Sequence, residues 1–204
     1  MQIIEPSYQI LTDINSARII CNIERAGRTA YKSEDRITSG SAERLIKDII
    51  KRGHESVLEH ETLSVKFICD RGVSHEIVRH RLCAFTQEST RYCNYAKKGI
   101  AVIKPFFWNE NSPEYIVWKN AMIRAECSYE ELITNGATPQ EARSVLPNSL
   151  KTEIVVTANI REWRHILTLR TTKSAHPQMR QIMFPLLLEL QQQLPILFED
   201  IIVK

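Results

Sequence analysis

Between Thr62 and Cys69 apolar and polar positions alternate, with Leu63, Val65 and Phe67 on one face and Ser64 and Lys66 on the other. A period of two is the mark of a half-buried strand, and Asp70-Arg71-Gly72 reads as the turn that closes it. A second strand is predicted over 150–158. Elsewhere the period lengthens to that of a helix. Residues 16–31 and 41–52 are amphipathic at helical spacing, and Gly53 follows the second as a C-cap. A short helix is expected from Val73 onward. A longer one starts at Ser112-Pro113, a cap residue followed by proline at the first helical position. In it Tyr115, Trp118, Met122, Ala125, Tyr129 and Leu132 recur at spacings of three and four, and Asn135-Gly136 ends it. That seam is too short to stand alone as a coiled coil and reads as core. Thr138-Pro139-Gln140-Glu141 is a capping box for a brief helix stopped by Pro147. Helices over 160–169 and 178–194 complete the chain, the last with Pro185 as a predicted kink.

Several apolar helices around few strands predict an α+β fold, a single domain with an antiparallel or mixed sheet flanked by helices. No repeat, linker or low-complexity stretch divides residues 1–204. The 204 residues are 43% hydrophobic, enough for a sizeable core. A net charge of +3 is too mild for a general nucleic-acid binder. No apolar run approaches the ~18 residues of a membrane span. The N-terminus MQIIEPSYQI lacks a secretory pattern. Five cysteines, odd in number and without a C-x-x-C pair, argue against a disulfide framework and fit a reducing, cytoplasmic setting.

Several familiar devices are missing. The six glycines are isolated, so neither G-x-G-x-x-G nor a Walker loop is available to cradle phosphates. His75-Glu76 and His80 carry one residue too many for H-E-x-x-H. On a helix those two histidines would lie ~140° apart and could not share a zinc. No metal is expected. Ser89 lies in no G-x-S-x-G elbow, and no cysteine stands in a nucleophile context.

What remains is cationic. The stretch RHRLCAFTQESTRY, 79–92, holds three arginines and a histidine with Glu88 as its only acid. If the preceding helix runs on into it, Arg79, His80 and Arg81 fan over roughly 200° of helix, with Arg81 on the core-facing stripe of Val73 and Ile77. Three side chains so disposed cannot grip one phosphate, but they suit ligands meeting at the helix end. Ser89 and Arg91, two apart, would project to one side of an extended segment as a hydroxyl–guanidinium clamp for an anion. Tyr92 and Tyr95 add aromatic surface. A second cluster comprises Arg143, Asn159, Arg161, Arg164, His165 and Arg170. Asn159 is placed to cap a helix, Arg161 and His165 share a face, and Arg170 falls at the helix end. On spacing alone, a surface helix with incidental arginines explains the first cluster as well as a site does. A nucleic-acid-binding module tracking a backbone with its Arg/Tyr segment is the alternative reading.

The run Arg79-His80-Arg81, seven residues, then Ser89 resembles the signature of the flavin-dependent thymidylate synthases, the ThyX family. The likeness continues through Arg91-Tyr92, the block ARSVLPNSLKTEIVVTANIREWRHILTLR and the following SAHPQMR. The resemblance implies an enzyme that makes dTMP from dUMP, with methylenetetrahydrofolate as carbon donor and NADPH-reduced FAD as hydride source. It implies a homotetramer with sites shared between subunits. Carried over by position, His54, Ser56, Arg79, His80, Arg81, Gln87, Asn159, Arg161 and His165 would contact FAD. Glu76, Arg79, Gln87, Glu88, Ser89, Thr90, Arg91, Arg143 and Arg170 would contact dUMP, with Arg143 lent by a neighbouring subunit. Arg170 would polarise the uracil ring as the catalytic residue, and Ser89 would bind phosphate or sugar rather than attack as a nucleophile.

Overall fold

The computed structural model describes residues 1–97 and 99–203. In chain order the elements are β1 (Gln2–Ile4), β2 (Ser7–Ile10), α1 (Ser16–Thr29), α2 (Ser41–Arg52), β3 (Thr62–Asp70) and α3 (Arg71–Ile77). There follow β4 (Cys83–Gln87), β5 (Ala101–Ile103), α4 (Pro113–Thr134), α5 (Pro139–Ala142) and β6 (Lys151–Asn159). The chain ends with α6 (Ile160–Arg170), α7 (Pro177–Gln193) and α8 (Pro195–Phe198). The strands form a parallel pair, β1 with β5, and a four-stranded sheet in the order β2-β3-β6-β4. In β3 and β6 the two-residue period is met directly. Leu63, Val65, Phe67 and Cys69 are buried, as are Thr152, Ile154, Val156 and Ala158, while the intervening residues are half-buried or exposed. This is the α+β architecture that the periodicity predicts.

The chain divides into two compact units, each discontinuous in sequence. The first comprises Met1–Tyr8, Lys66–Arg79 and Phe85–Val155; the second comprises Gln9–Val65, His80–Ala84 and Val156–Lys204. In the first, the seam of α4 buries Tyr115, Trp118 and Met122 against Ile100, Val102 and Leu150. In the second, α1 and α2 bury Ile19, Ile23, Ala42, Ile46 and Ile49. Gly53 closes α2 in the left-handed region at φ 70°, where a side chain would be strained. Trp163 of α6 is fully buried, and its indole N–H donates to the Leu63 carbonyl of β3 at 3.0 Å. That bond fixes the height and rotation of α6, the helix that carries the second cationic cluster. Truncating Trp163 to alanine should cost about 3–5 kcal/mol.

Two local expectations fail, for the same kind of reason. Asp70-Arg71-Gly72 is not a turn. It is the start of α3, because the Asp70 carboxylate accepts from the Val73 amide at 2.8 Å and so caps the helix. A Cβ at Gly72 would come within 2.9 Å of that carboxylate oxygen, so the glycine serves the cap. Once begun there, α3 ends at Ile77, two residues short of Arg79. The helical fan of Arg79, His80 and Arg81 therefore does not form. These residues lie in the tight connection between α3 and β4, with His80 buried and both arginines exposed. Arg81 does not join the Val73–Ile77 stripe, and no guanidinium is forced into the core there.

Candidate functional site

The nucleotide candidates gather in the first unit. Gln87 ends β4 with its amide turned inward, donating to Ser74 Oγ at 2.9 Å and Thr152 Oγ1 at 3.1 Å. Glu88 accepts from the Tyr95 hydroxyl at 2.8 Å and from Lys151 Nζ at 2.9 Å. Lys151 also meets Glu153, which in turn pairs with Lys66. Burial and the bond to Glu88 push the Tyr95 phenol well above its ordinary range. Glu88 is thus an anchor, with both oxygens occupied, at the root of the loop that follows it. A cavity of about 470 Å³ beside it is lined by Lys66, Gln87, Glu88, Cys93, Lys151 and Glu153 among others.

That loop is a turn, not the extended segment expected. The Ser89 carbonyl accepts from the amides of Tyr92 and Cys93 at 3.2 and 3.0 Å, and its hydroxyl accepts from the Arg91 amide at 3.3 Å. A hydroxyl that can bond its own backbone two residues on favours the turn. Arg91 is consequently exposed, its guanidinium 5.6 Å from the centre of the Tyr92 ring. Thr90 is buried, and Arg143 of the same chain donates to its hydroxyl at 3.3 Å. The turn therefore collects a serine, a threonine and two guanidiniums, the donor set of a phosphate clamp. Glu76 lies half-buried on α3, and the Arg79 amide bonds its carbonyl at 3.3 Å.

The flavin candidates, apart from Arg79 and Gln87, fall in the second unit, together with Arg170. Asn159 caps α6 by accepting from the Glu162 amide at 2.8 Å, as its place at the end of β6 predicts. Arg161 and His165 do share a face: with Asn159 they line a cavity of about 660 Å³, alongside Glu55, Glu59, Leu82, Glu162, Arg164 and Thr168. Arg161 is held by Glu59 at 2.6 Å. Arg164 is buried and structural, forming a two-pronged pair with Asp200 at 2.7 Å and bonding the Leu197 carbonyl. His54, Ser56 and Arg81 are exposed.

His80 is the point where the two sequence clusters meet. Its Nε2 accepts from Arg170 Nε at 2.9 Å, its Nδ1 lies 3.6 Å from a Glu162 carboxylate oxygen, and its ring meets His165 edge-on at 5.8 Å. A guanidinium has donors only, so Nε2 must carry the lone pair and Nδ1 the proton. Burial, the Arg170 charge and His165 lower the His80 pKa to about 4, so the ring is neutral near pH 7. His80, Glu162 and His165 also place one ligand atom each within 4.8 Å of one another, the spacing of a metal site. Arg170 occupies Nε2, and its positive charge opposes a cation there.

Sequence reasoning passed over Glu162. It sits three residues after its cap Asn159 and three before His165, a spacing that puts it on the His165 face of α6, and that signal was available. Glu55 and Glu59 gave none, because a 3-10 segment of Glu55–His60 has no amphipathic period to read. Burial pushes the Cys69 thiol up to about 12, and burial with Glu162 nearby does the same to Cys83. Neither is a thiolate nucleophile.

Residues 15–196 match the family described as thymidylate synthase complementing protein. The chain belongs to that family. Among its curated relatives, a flavin-dependent thymidylate synthase of Pyrococcus furiosus is 32% identical over 170 residues, 82% of this chain and 70% of that protein. One from Corynebacterium aurimucosum is 34% identical over 196 residues, 87% and 78% of the two chains. A crystal structure of PolB, a UMP/dUMP methylase from Streptomyces cacaoi bound with 5-Br dUMP, superposes with a TM-score of 0.83. It is 22% identical, covers 98% of this chain and 96% of its own, and shares the fold. The matched span takes in both cationic clusters.

Proposed function

We propose that this chain is a flavin-dependent thymidylate synthase that converts dUMP to dTMP. The carbon donor would be methylenetetrahydrofolate, and FAD reduced by NADPH would be the hydride source. Residues 1–204 would act as one catalytic domain in a cytoplasmic homotetramer whose sites are shared between subunits, with no call on nucleic acid, a membrane or a metal. Family membership and the names of the curated relatives support the reaction. The observation that carries it is the bond between Arg170 and His80, which joins the signature run to the end of α6, 90 residues away.

The residues facing the large cavity suit a flavin in kind. Asn159, Arg161 and His165 offer an amide, a forked donor and an imidazole around a space of about 660 Å³, within the size of cofactor sites. Glu59 already holds Arg161, so an anionic group must compete for that guanidinium. His54, Ser56, Arg79, Arg81 and Gln87 are assigned to the flavin on the resemblance. When bound, FAD supplies the redox chemistry that side chains lack.

The remaining roles belong to the chain itself. Ser89, Thr90 and Arg91, with Arg143 lent by a neighbouring subunit, would hold the phosphate and sugar of dUMP, and Glu88 and Lys151 would brace the loop. Glu76, Arg79 and Gln87 would add nucleotide contacts. Arg170, its plane set by neutral His80, would face the uracil edge and stabilise the negative charge that develops as the ring becomes nucleophilic. No cysteine attack is invoked.

The test is direct. Purified protein should show flavin absorbance and release tritium from [5-³H]dUMP only when methylenetetrahydrofolate and NADPH are present. Arg170→Ala should lower that release by about 10²-fold, as loss of an electrostatic stabiliser does. Wild-type turnover in Arg170→Ala at saturating dUMP would overturn the role. A colourless protein that binds oligonucleotides with steep salt dependence would replace the enzyme with a nucleic-acid-binding module.

A further inference from the structure

Glu162 is a buried carboxylate, 7% exposed, on the first turn of α6. It does not lie among the ligand residues that the resemblance implies. Its nearer oxygen faces His80 Nδ1 at 3.6 Å, just beyond hydrogen-bond length. His80 in turn accepts from Arg170 through the opposite nitrogen at 2.9 Å. The three groups form a line of carboxylate, imidazole and guanidinium, all within the second unit.

An imidazole has two neutral tautomers, and only one lets Nε2 accept from Arg170. A carboxylate facing Nδ1 favours the proton on Nδ1, because the N–H dipole then points at the negative charge. The same carboxylate opposes the other tautomer, whose Nδ1 lone pair would face it. We propose that Glu162 is a positioning residue: it holds His80 in the Nδ1–H form, and through His80 it fixes the plane of the Arg170 guanidinium. Fixing one of the five donors of a planar group sets the directions of the others. Arg161, Arg164 and His165 share α6 with Glu162, but Arg161 is engaged by Glu59 and Arg164 by Asp200. His165 presents its ring edge-on to His80. Cys83 faces the carboxylate as an undissociated thiol. None of them substitutes for an acceptor at Nδ1.

This inference rests on the proposed function for its effect on turnover, but not for its effect on His80. Histidine-selective ¹⁵N labelling of the full chain, flavin-loaded and flavin-free, reads the tautomer at about pH 7. In the wild type His80 should show a protonated Nδ1 and a bare Nε2. Glu162→Met keeps the volume but removes the acceptor, so His80 should give a mixed-tautomer signal. Glu162→Gln offers an amide oxygen and should restore the wild-type spectrum. In turnover, Glu162→Met should lower kcat about tenfold, equivalent to ~1.4 kcal/mol of lost transition-state stabilisation. KM for dUMP should change less than about twofold, since a misaimed Arg170 acts on ring activation. Glu162→Gln should recover kcat to within about threefold. Should Glu162→Met fail to fold, Glu162→Ala carries the same expectations. A wild-type tautomer in the acceptor-less variant, or equal losses in the Met and Gln variants, would overturn the proposal. If wild-type protein releases no tritium, the proposed function fails while the spectra still decide this inference.

Discussion

His80 makes a prediction about acid stability that needs no substrate. The residue is 6% exposed, and burial, Arg170 and His165 lower its pKa from 6.5 to about 4. Unfolding returns the ring to water and to its ordinary value. Above pH 6.5 neither state holds the proton, and His80 adds nothing to the pH dependence. As the pH falls from 6.5 toward 4, the unfolded chain takes up a proton that the folded chain refuses. Stability then drops by up to about 1.4 kcal/mol per pH unit, and the whole loss approaches ~3 kcal/mol. Below pH 4 both states are protonated and the loss stops growing. His80→Gln removes the titration yet leaves an amide oxygen that can accept from Arg170 Nε. Urea unfolding of both proteins at several values between about pH 7.5 and 4.5 isolates the effect, since every other residue is common to the two. The wild type should lose about 2–3 kcal/mol more than the variant across that range. Parallel curves would refute the burial argument. A wild type that gains stability in acid relative to the variant would mean that Glu162, rather than Arg170, governs the ring.

Two further substitutions separate binding from framework. If Ser89 is one contact in the proposed clamp, Ser89→Ala should raise KM for dUMP several-fold and leave measurable turnover; complete loss with unchanged dUMP affinity would show it to be a nucleophile. Arg164→Ala removes the partner of Asp200, whose side chain is half-exposed, and one of the two arginines near Glu55, and should cost about 1–2 kcal/mol in thermal or urea unfolding. Flavin absorbance should persist at temperatures where the variant is folded, and its specific loss would move Arg164 from framework to cofactor contact.

The fold was legible wherever one period governed a segment. Leu63-Val65-Phe67 and the α4 seam announced their buried faces, and Gly53 announced a stop. Legibility failed where a single side chain redirected the backbone. Asp70 could close a strand or open a helix, and only the Val73 amide within reach decides for the cap. Ser89 could sit in an extended clamp or a turn, and its bonds to Arg91, Tyr92 and Cys93 decide for the turn. β1, β2 and β5 are three or four residues long and too short to show a period. For the site, motif position named Asn159, Arg161, His165 and Arg170, and the structure brings the first three to one cavity and the last to His80. Glu162 was lost because a first-turn glutamate has an ordinary explanation in the helix dipole.

The short α3 changes what the signature run is for. On a continuous helix, successive residues point ~100° apart, so Arg79 and His80 would leave in different directions and Arg81 would fall on the core-facing stripe of Val73 and Ile77. Ending the helix at Ile77 frees the backbone to bury the middle residue and expose its neighbours. Imidazole is the side chain suited to that middle place. It can be neutral when buried, as burial and Arg170 make His80, and it still offers one acceptor and one donor on opposite edges. A lysine or arginine there would carry a buried charge against Arg170, and an apolar residue would leave Arg170 Nε without its acceptor. The run therefore exposes two cations and buries one imidazole, which accepts from a third. The inward-facing histidine, rather than the flanking arginines, links the signature to the chemistry proposed for the end of α6.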